Sequence, residues 1–182
     1  MSIHKLGSYV PAGGSAGSGQ VDTDVRRRRH ETGVRRVRVG QGGRAVPSAL
    51  DAAAFLALVP RSMSWLKMQD LLYYAQGWHL VWDGEPLFAD AIIATEAGVR
   101  IEAVDSLLRD NFAVTSVIGG QDTNLSESAR QTLSGIVKFY GGKNHFRLSE
   151  AIVTEKPWLH AREAGGGSPI PVQALREYFA GL

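Results

Sequence analysis

The chain has 182 residues, no cysteine and a formal net charge of +2. This length suits one ordinary domain with its own core, and the lack of cysteine excludes disulfides, thiolate nucleophiles and cysteine-ligated zinc. No stretch approaches the roughly 18 consecutive apolar residues of a membrane span, and the N-terminus lacks the apolar segment of a signal peptide, so we expect a soluble, cytoplasmic protein.

The charge is divided unevenly along the chain. Residues 1–50 carry nine Lys/Arg and three Asp/Glu, whereas residues 51–182 carry eleven and fifteen. Residues 1–46 are rich in Gly and Ser and then in Arg, and they cannot bury enough apolar surface to offset the entropy of ordering. The sequence therefore predicts a disordered leader over residues 1–46 and a folded domain over residues 47–182.

The function of the leader is open between two interpretations. Clustered arginines, such as those at 26–29, can bind phosphate backbones by displacing counterions, which would make the leader an arm for nucleic acid or for an acidic surface. No aromatic residues stand among the arginines to stack on bases. This absence favours a solvated tail.

The folded domain begins with two predicted helices. Ser48 suits the N-cap of a first helix that stops at Pro60, and Ser64 suits the N-cap of a second. The second helix is apolar over so much of its circumference that we expect it at the centre of the fold. Its inward-facing set comprises Met68, Leu71, Leu72, Tyr74, Ala75, Trp78, His79 and Trp82.

The middle of the chain predicts short elements. Asp83-Gly84 is a turn signal that ends the second helix, and Ala91-Ile92-Ile93-Ala94 predicts a short extended segment. Ile101, Val104, Leu107 and Leu108 have the spacing of a third helix, which we expect to end near Asn111. The β-branched alternation of residues 112–118 indicates a single short strand.

Four more helices are predicted towards the C-terminus. Ser126 suits the N-cap of a fourth helix and Asn144 that of a fifth. Pro157 suits the first turn of a short sixth helix over residues 157–163, and Pro169 or Pro171 starts the last one. The predicted fold class is mainly α, a compact multi-helix domain with at most a short β element.

Two stretches carry a family resemblance. Residues 66–80, LKMQDLLYYAQGWHL, resemble the signature LKLQKLLYYAQGWHL of Panacea-type antitoxins, the family of SocA-like and phage-associated GepA-like proteins. A second stretch is similar to the family's LSELTH-E-PW-AR pattern through Leu148-Ser149-Glu150, Glu155, Pro157-Trp158 and Ala161-Arg162. The resemblance covers Leu50 to Leu182 and leaves out the leader.

Residues 95–104 depart from the family pattern. Many relatives have an EAW-x-x-GPVVPxVY stretch there, whereas this chain keeps Gly98 and lacks the tryptophan and both prolines. Val153-Thr154 also replaces the usual Thr-His. If these positions set partner choice, the partner of this protein has diverged or its antitoxin role has weakened.

The resemblance implies an antitoxin that neutralises a cognate toxin, commonly encoded by an adjacent gene, through direct complex formation. It also suggests a proteolytic adaptor that delivers the toxin to the ClpXP protease. We expect no cofactor and no membrane partner. Nucleic acid could be bound only through the arginine-rich leader. The family-motif residues that could bind the partner are Gln69, Tyr73, Tyr74, Trp78, His79, Glu96, Gly98, Glu155, Pro157, Trp158 and Arg162.

Residue types with catalytic or metal-binding chemistry lack the necessary spacing. The five histidines show no metal-type pattern such as HExxH, and no serine lies in a G-x-S-x-G elbow. On the apolar face of the second helix, His79 is more often a hydrogen-bonded structural residue than a base or a metal ligand. We therefore expect no catalytic site, metal or cofactor, and keep an enzyme with an unrecognised site as the third alternative.

Aromatic residues in both motifs have two interpretations. Tyr73, Tyr74, Trp78 and Trp82 could pack in the core or form an exposed interface patch, and a helix this apolar requires at least two of them in the core. Trp158 could cover the core or contact a partner, and packing is the favoured interpretation.

Overall fold

The computed structural model describes residues 46–59 and 63–182. The prediction of a leader over residues 1–46, with both interpretations of its function, lies outside the described residues except for Val46. The described residues form seven α-helices and one small two-stranded sheet, which confirms the mainly α class. The elements are α1 (Ala49–Ala57), α2 (Trp65–Trp82), β1 (Ile93–Thr95), β2 (Gly98–Arg100), α3 (Glu102–Leu108), α4 (Glu127–Tyr140), α5 (His145–Ile152), α6 (Lys156–Glu163) and α7 (Val172–Ala180).

Four helices begin at the N-caps that the sequence predicts. The Ser48 hydroxyl accepts a hydrogen bond from the backbone N–H of Asp51, and the Asp51 carboxylate accepts one from the backbone N–H of Ser48 at 2.8 Å. Ser64, Ser126 and Asn144 each accept from the backbone N–H three residues on. These bonds satisfy donors that the first turn of a helix leaves without an intrahelical partner.

The second helix lies at the centre of the fold, as its apolar circumference predicts. Residues 68–80 are all buried, and α2 packs against α1, α3, α4, α5 and α7. Buried polar side chains on such a helix are expected to have hydrogen-bond partners.

A β-hairpin crosses one end of α2. β1 pairs with β2 in antiparallel register, with Ala94 opposite Val99, and Gly98 has a φ of +131°, which residues with a side chain rarely adopt. The predicted extended segment at 91–94 is thus confirmed in part, since β1 starts two residues later. The returning strand was not predicted.

The strand predicted over residues 112–118 is wrong. Val114 makes one isolated bridge with Met63, its N–H donating to the Met63 carbonyl at 2.9 Å. The pairing cannot continue because Ser64 already caps α2. Ile118, whose place in the alternation suggested a half-buried strand, is 81% exposed.

The third helix is shorter than predicted. α3 ends at Leu108 instead of near Asn111, and Leu107, which was placed on its apolar face, is 42% exposed. The chain leaves the helix at Arg109, whose ψ is 138°, and Asp110 then takes a φ of +64°. The other boundaries agree with the caps and prolines: α6 has Pro157 in its first turn and Pro171 is the N-cap of α7.

Across the described part of the chain, the helices fall short of the combined length and apolarity that a membrane crossing requires.

Candidate functional site

The two sequence motifs meet at a buried carboxylate. Glu155, the N-cap residue of α6, is 2% exposed. The Tyr73 hydroxyl donates to its Oε2 at 2.6 Å, and the Tyr74 hydroxyl donates to its Oε1 at 3.0 Å. Neighbouring residues on one helix thus each donate to a different oxygen of Glu155, so the first motif holds the second in place.

The electrostatics of this centre keep the tyrosines protonated. Burial, followed by the charge of Glu155, raises the pKa of Tyr73 and of Tyr74 well above the ordinary tyrosine value. The same two causes raise the pKa of the half-buried Tyr178 to about 12. The hydroxyls of Tyr73 and Tyr74 therefore remain donors at neutral pH, as a carboxylate that can only accept requires.

An aromatic cluster surrounds the carboxylate. Tyr74 stacks on Tyr140 with centroids 4.3 Å apart, and the indole N–H of Trp78 donates to the Tyr140 hydroxyl at 3.0 Å. Trp82 is half-buried and stacks on Trp78. Phe179 of α7 packs edge-on against Tyr73, Tyr74 and Trp78. The interpretation of Tyr73, Tyr74 and Trp78 as core residues is confirmed.

His79 is hydrogen-bonded beside the core. Its Nδ1 lies 2.9 Å from the Thr132 hydroxyl and 2.9 Å from Oδ2 of Asp83. Asp83 also accepts a hydrogen bond from the Ser128 hydroxyl. The hydrogen bonds with His79 and Ser128 lower the pKa of Asp83, and the one with His79 has the larger effect. His79 is thus buried and hydrogen-bonded, as the sequence predicts. Within residues 46–59 and 63–182, no group of three or more potential ligands could hold a metal ion.

Two buried amides of α2 hold the segments that pass over it. The Gln76 side chain accepts from the backbone N–H groups of Leu87 and Phe88 and donates to the Phe88 carbonyl. Gln69 accepts from the Ile101 N–H at 2.9 Å and so fixes the start of α3. Gln76 was missed from the sequence, although an amide within an otherwise apolar motif is a signal for such a role.

Four motif residues come together where the hairpin meets α6. The indole N–H of Trp158 donates to the Gly98 carbonyl at 2.7 Å. The Arg162 guanidinium lies 5.8 Å from the Trp158 ring centroid, and its Nη2 lies 3.8 Å from Glu96 Oε1. We call Glu96, Gly98, Trp158 and Arg162 the hairpin face.

The comparison with protein families decides the identity. A family model described as the antitoxin SocA-like Panacea domain matches residues 68–159, half of the chain. This chain belongs to the SocA-like Panacea antitoxin family. The matched span begins within α2 and ends within α6, so it includes the contact of Tyr73 with Glu155. No curated protein and no solved structure matches the chain.

The Panacea motif residues divide by burial. Glu96 is exposed, its side chain at 91%, and Trp158 and Arg162 are partly buried. Trp158 packs against the core with one side, as favoured, while the rest of its ring stays accessible. The remaining predicted residues are buried: Gln69, Tyr73, Tyr74, Trp78, His79, Gly98, Glu155 and Pro157. These eight residues therefore lie inside the domain and take part in its packing.

A cavity opens on the other side of the hairpin. It measures about 320 Å³ and lies between α2, the hairpin, α3 and the start of α5. Asp70 lies in its wall with one carboxylate oxygen 2.7 Å from Nδ1 of His145. Burial raises the pKa of Asp70 to about 6, although the hydrogen bond from His145 opposes the rise. Sequence reasoning missed both residues, and a lone acid inside the buried motif was the available signal.

Proposed function

We propose that this protein is a cytoplasmic antitoxin that neutralises a cognate toxin by binding it directly. The supporting observation is the family match over residues 68–159. Membership places the chain among antitoxin-like proteins. The identity of its toxin and the manner of neutralisation are part of the proposal.

The hairpin face is the surface that we assign to the toxin. Tryptophan and arginine are the residue types that dominate protein interfaces, and Trp158 and Arg162 lie here side by side. The hydrogen bond from Trp158 to the Gly98 carbonyl fixes the indole before binding, which lowers the entropy lost on association. Two residues of the face, Glu96 and Gly98, belong to the segment 95–104 that departs from the family pattern, so we expect the face to set partner choice.

Co-expression with the product of the adjacent gene tests the proposal. We expect the protein to restore growth that the neighbouring product inhibits, and to co-purify with it. Arg162→Ala should weaken both effects, whereas Arg147→Ala, at an exposed site on α5, should leave them unchanged. Failure of the wild-type chain both to restore growth and to co-purify would overturn the proposal.

Delivery of the toxin to ClpXP is the finer form of the proposal. An adaptor would shorten the toxin's half-life only in cells that contain the protease. A binder that acts by steric blockage would leave the half-life unchanged while restoring growth. Pulse-chase measurement of the toxin in cells with and without ClpXP separates the two.

The charge of residues 1–50 favours a second candidate function, that of a nucleic-acid-binding regulator. This segment contains nine Lys/Arg and only three Asp/Glu, and such a positive charge attracts phosphate backbones. An electrophoretic shift with the full chain, lost on removal of residues 1–46 and weakened by salt, would support it. A shift that is insensitive to salt would contradict it.

We propose that neither function involves catalysis. His79 is the residue to test, because its ring is the one a catalytic role would use. We expect His79→Ala to lower the melting temperature and toxin neutralisation together. Lost neutralisation with an unchanged melting temperature would instead revive the enzyme alternative.

A further inference from the structure

The cavity between α2 and the hairpin has a polar floor, and we call it the α2–hairpin pocket. Residues of α2, both strands, α3 and α5 contribute to a volume of about 320 Å³. Its polar and charged lining consists of Gln69, Asp70, Thr95, Arg100, Asp105, Arg109, Asp110 and His145.

The buried acids of the pocket already have partners. Asp105 forms an ion pair with Arg109 one helical turn later, and Asp70 is bonded to His145 at 2.7 Å. Asp110 is exposed at the mouth of the pocket. The negative groups within the pocket are therefore engaged by the protein itself.

Two buried donors of the pocket lack an acceptor among the described residues. The Gln69 oxygen is taken by the Ile101 N–H, which fixes the orientation of the amide, and the Gln69 Nε2 has no hydrogen-bond acceptor. Gln69 is only 2% exposed. The buried Nε–H of Arg100 also lacks an acceptor, because Glu102, at 3.4 Å, does not meet it with hydrogen-bond geometry.

Buried donors without an acceptor destabilise a protein, and a ligand that supplies acceptors removes this cost. The two residues that carry these donors line one pocket, and one of the donors belongs to a cation. A carboxylate fits this pair, because it only accepts and because a bond from guanidinium to carboxylate is charge-assisted.

Exposed aromatic residues contact two of the residues that line the pocket. Trp65 lines the pocket and packs edge-on against Phe112, whose exposure is 74%. His145 lines it on the α5 side beside Phe146, whose exposure is 73%. Aromatic side chains around a polar socket are typical of a site that receives a protein side chain and excludes water from it.

We infer that the α2–hairpin pocket binds a carboxylate of the protein partner, from an aspartate or glutamate side chain or from a chain terminus. The inference rests on the proposed function for the identity of that partner. The donors, the partnered acids and the aromatic residues are present without the toxin, so the chemistry can be tested on the isolated full-length protein.

Titration with small probes, followed by proton–nitrogen NMR, tests the inference. N-acetylglutamate N-methylamide supplies a side-chain carboxylate and N-acetylalanine supplies a terminal one. The matched controls are N-acetylglutamine N-methylamide and N-acetylalaninamide. We expect saturable shifts of the Gln69 side-chain amide and the Arg100 Nε–H with a carboxylate, at least about 10-fold stronger in affinity than with its amide control.

The stronger of the two carboxylate probes identifies the source of the group. Equal affinity for acid and amide probes, or no saturable shift with either acid, would overturn the inference. Arg100→Gln should reduce the affinity at least about 10-fold, while Arg147→Gln, with the same change in charge at an exposed site, should not. The same spectra report whether each variant remains folded.

The outcome is separable from that of the proposed function. Toxin neutralisation without any carboxylate binding would leave the antitoxin proposal intact and overturn the inference that the pocket binds a carboxylate. Carboxylate binding by a chain that neutralises no toxin would reject the antitoxin proposal and leave the chemistry of the pocket standing.

Discussion

The Tyr73 hydroxyl donates a hydrogen bond of 2.6 Å to the carboxylate of Glu155, 82 positions further along the chain. Tyr74 donates to the other oxygen of the same carboxylate at 3.0 Å. Because a carboxylate is expensive to bury without such donors, the two tyrosines make it possible for α6 to begin inside the core.

Replacing Glu155 should lower the free energy of unfolding. Glu155→Gln keeps the size of the side chain but leaves only one accepting oxygen for two hydroxyls, so we expect a loss of about 1–3 kcal/mol in the free energy of unfolding. Urea denaturation measures it, with the exposed Glu150→Gln as the control. Tyr73→Phe should cost less in the Glu155→Gln background than in the wild type. Equal stability of the two glutamine variants would contradict the prediction.

Gly77 should tolerate no side chain. A Cβ on Gly77 would lie 2.4 Å from the Phe179 ring, so Gly77→Ala should destabilise the domain by about 1–3 kcal/mol through overpacking, despite the better helix propensity of alanine. Gly142→Ala is the control, since its Cβ would meet nothing within 4 Å. Thermal unfolding compares the two. Partial rescue of Gly77→Ala by Phe179→Leu is expected, and its absence would point to another cause.

Asp70 should make stability depend on pH in an unusual direction. Burial raises its pKa from 3.8 to about 6 in the folded protein, so between these values the folded state holds a proton that the unfolded state has lost. The contribution of Asp70 is therefore fully present below pH 4 and is lost as pH rises to 6. At about 1.4 kcal/mol for each pH unit, the loss is on the order of 3 kcal/mol.

The comparison with Asp70→Asn tests this effect, because the titrating groups that do not contact Asp70 are the same in both proteins. Urea denaturation between pH 4 and pH 7 should show the free energy of unfolding of the wild type falling relative to that of the variant. The difference should level off above pH 7. Parallel pH profiles of the two proteins would rule the effect out.

Trp158→Phe should loosen the hairpin. The change removes the N–H that donates to the Gly98 carbonyl at 2.7 Å and keeps an aromatic ring, so we expect a loss of about 1 kcal/mol. Amide hydrogen exchange of Arg100, which stands opposite Ile93 in the hairpin, should accelerate, while that of residues 68–80 in α2 should change little. Unchanged exchange at Arg100 would show that the indole does not hold the hairpin.

The parts of the fold that follow from neighbouring residues could be predicted from the sequence. Ser48, Ser64, Ser126 and Asn144 cap their helices because a cap needs only a side chain and an N–H three residues apart. The central place of α2 follows from its apolar circumference. The errors arose where a local pattern had no second segment to pair with. Residues 112–118 alternate like a strand, but the segment beside them begins a helix at Ser64 and does not continue as a second strand.

The candidate sites divide in the same way. The motif residues and the family could be recognised from the order of residues alone. The contact of Glu155 with the tyrosines, the bond from Trp158 to Gly98 and the unsatisfied amide of Gln69 could not, because each depends on where a distant segment lies.

The sequence by itself thus determined the helices, the central element and the family, because caps, periodicity and motifs are local in the chain. Only the tertiary structure decided which motif residues are accessible and which are buried. The reason is that burial and hydrogen-bond partnership arise from the packing of segments up to about eighty residues apart, such as Tyr73 and Glu155, and local spacing carries no record of that packing.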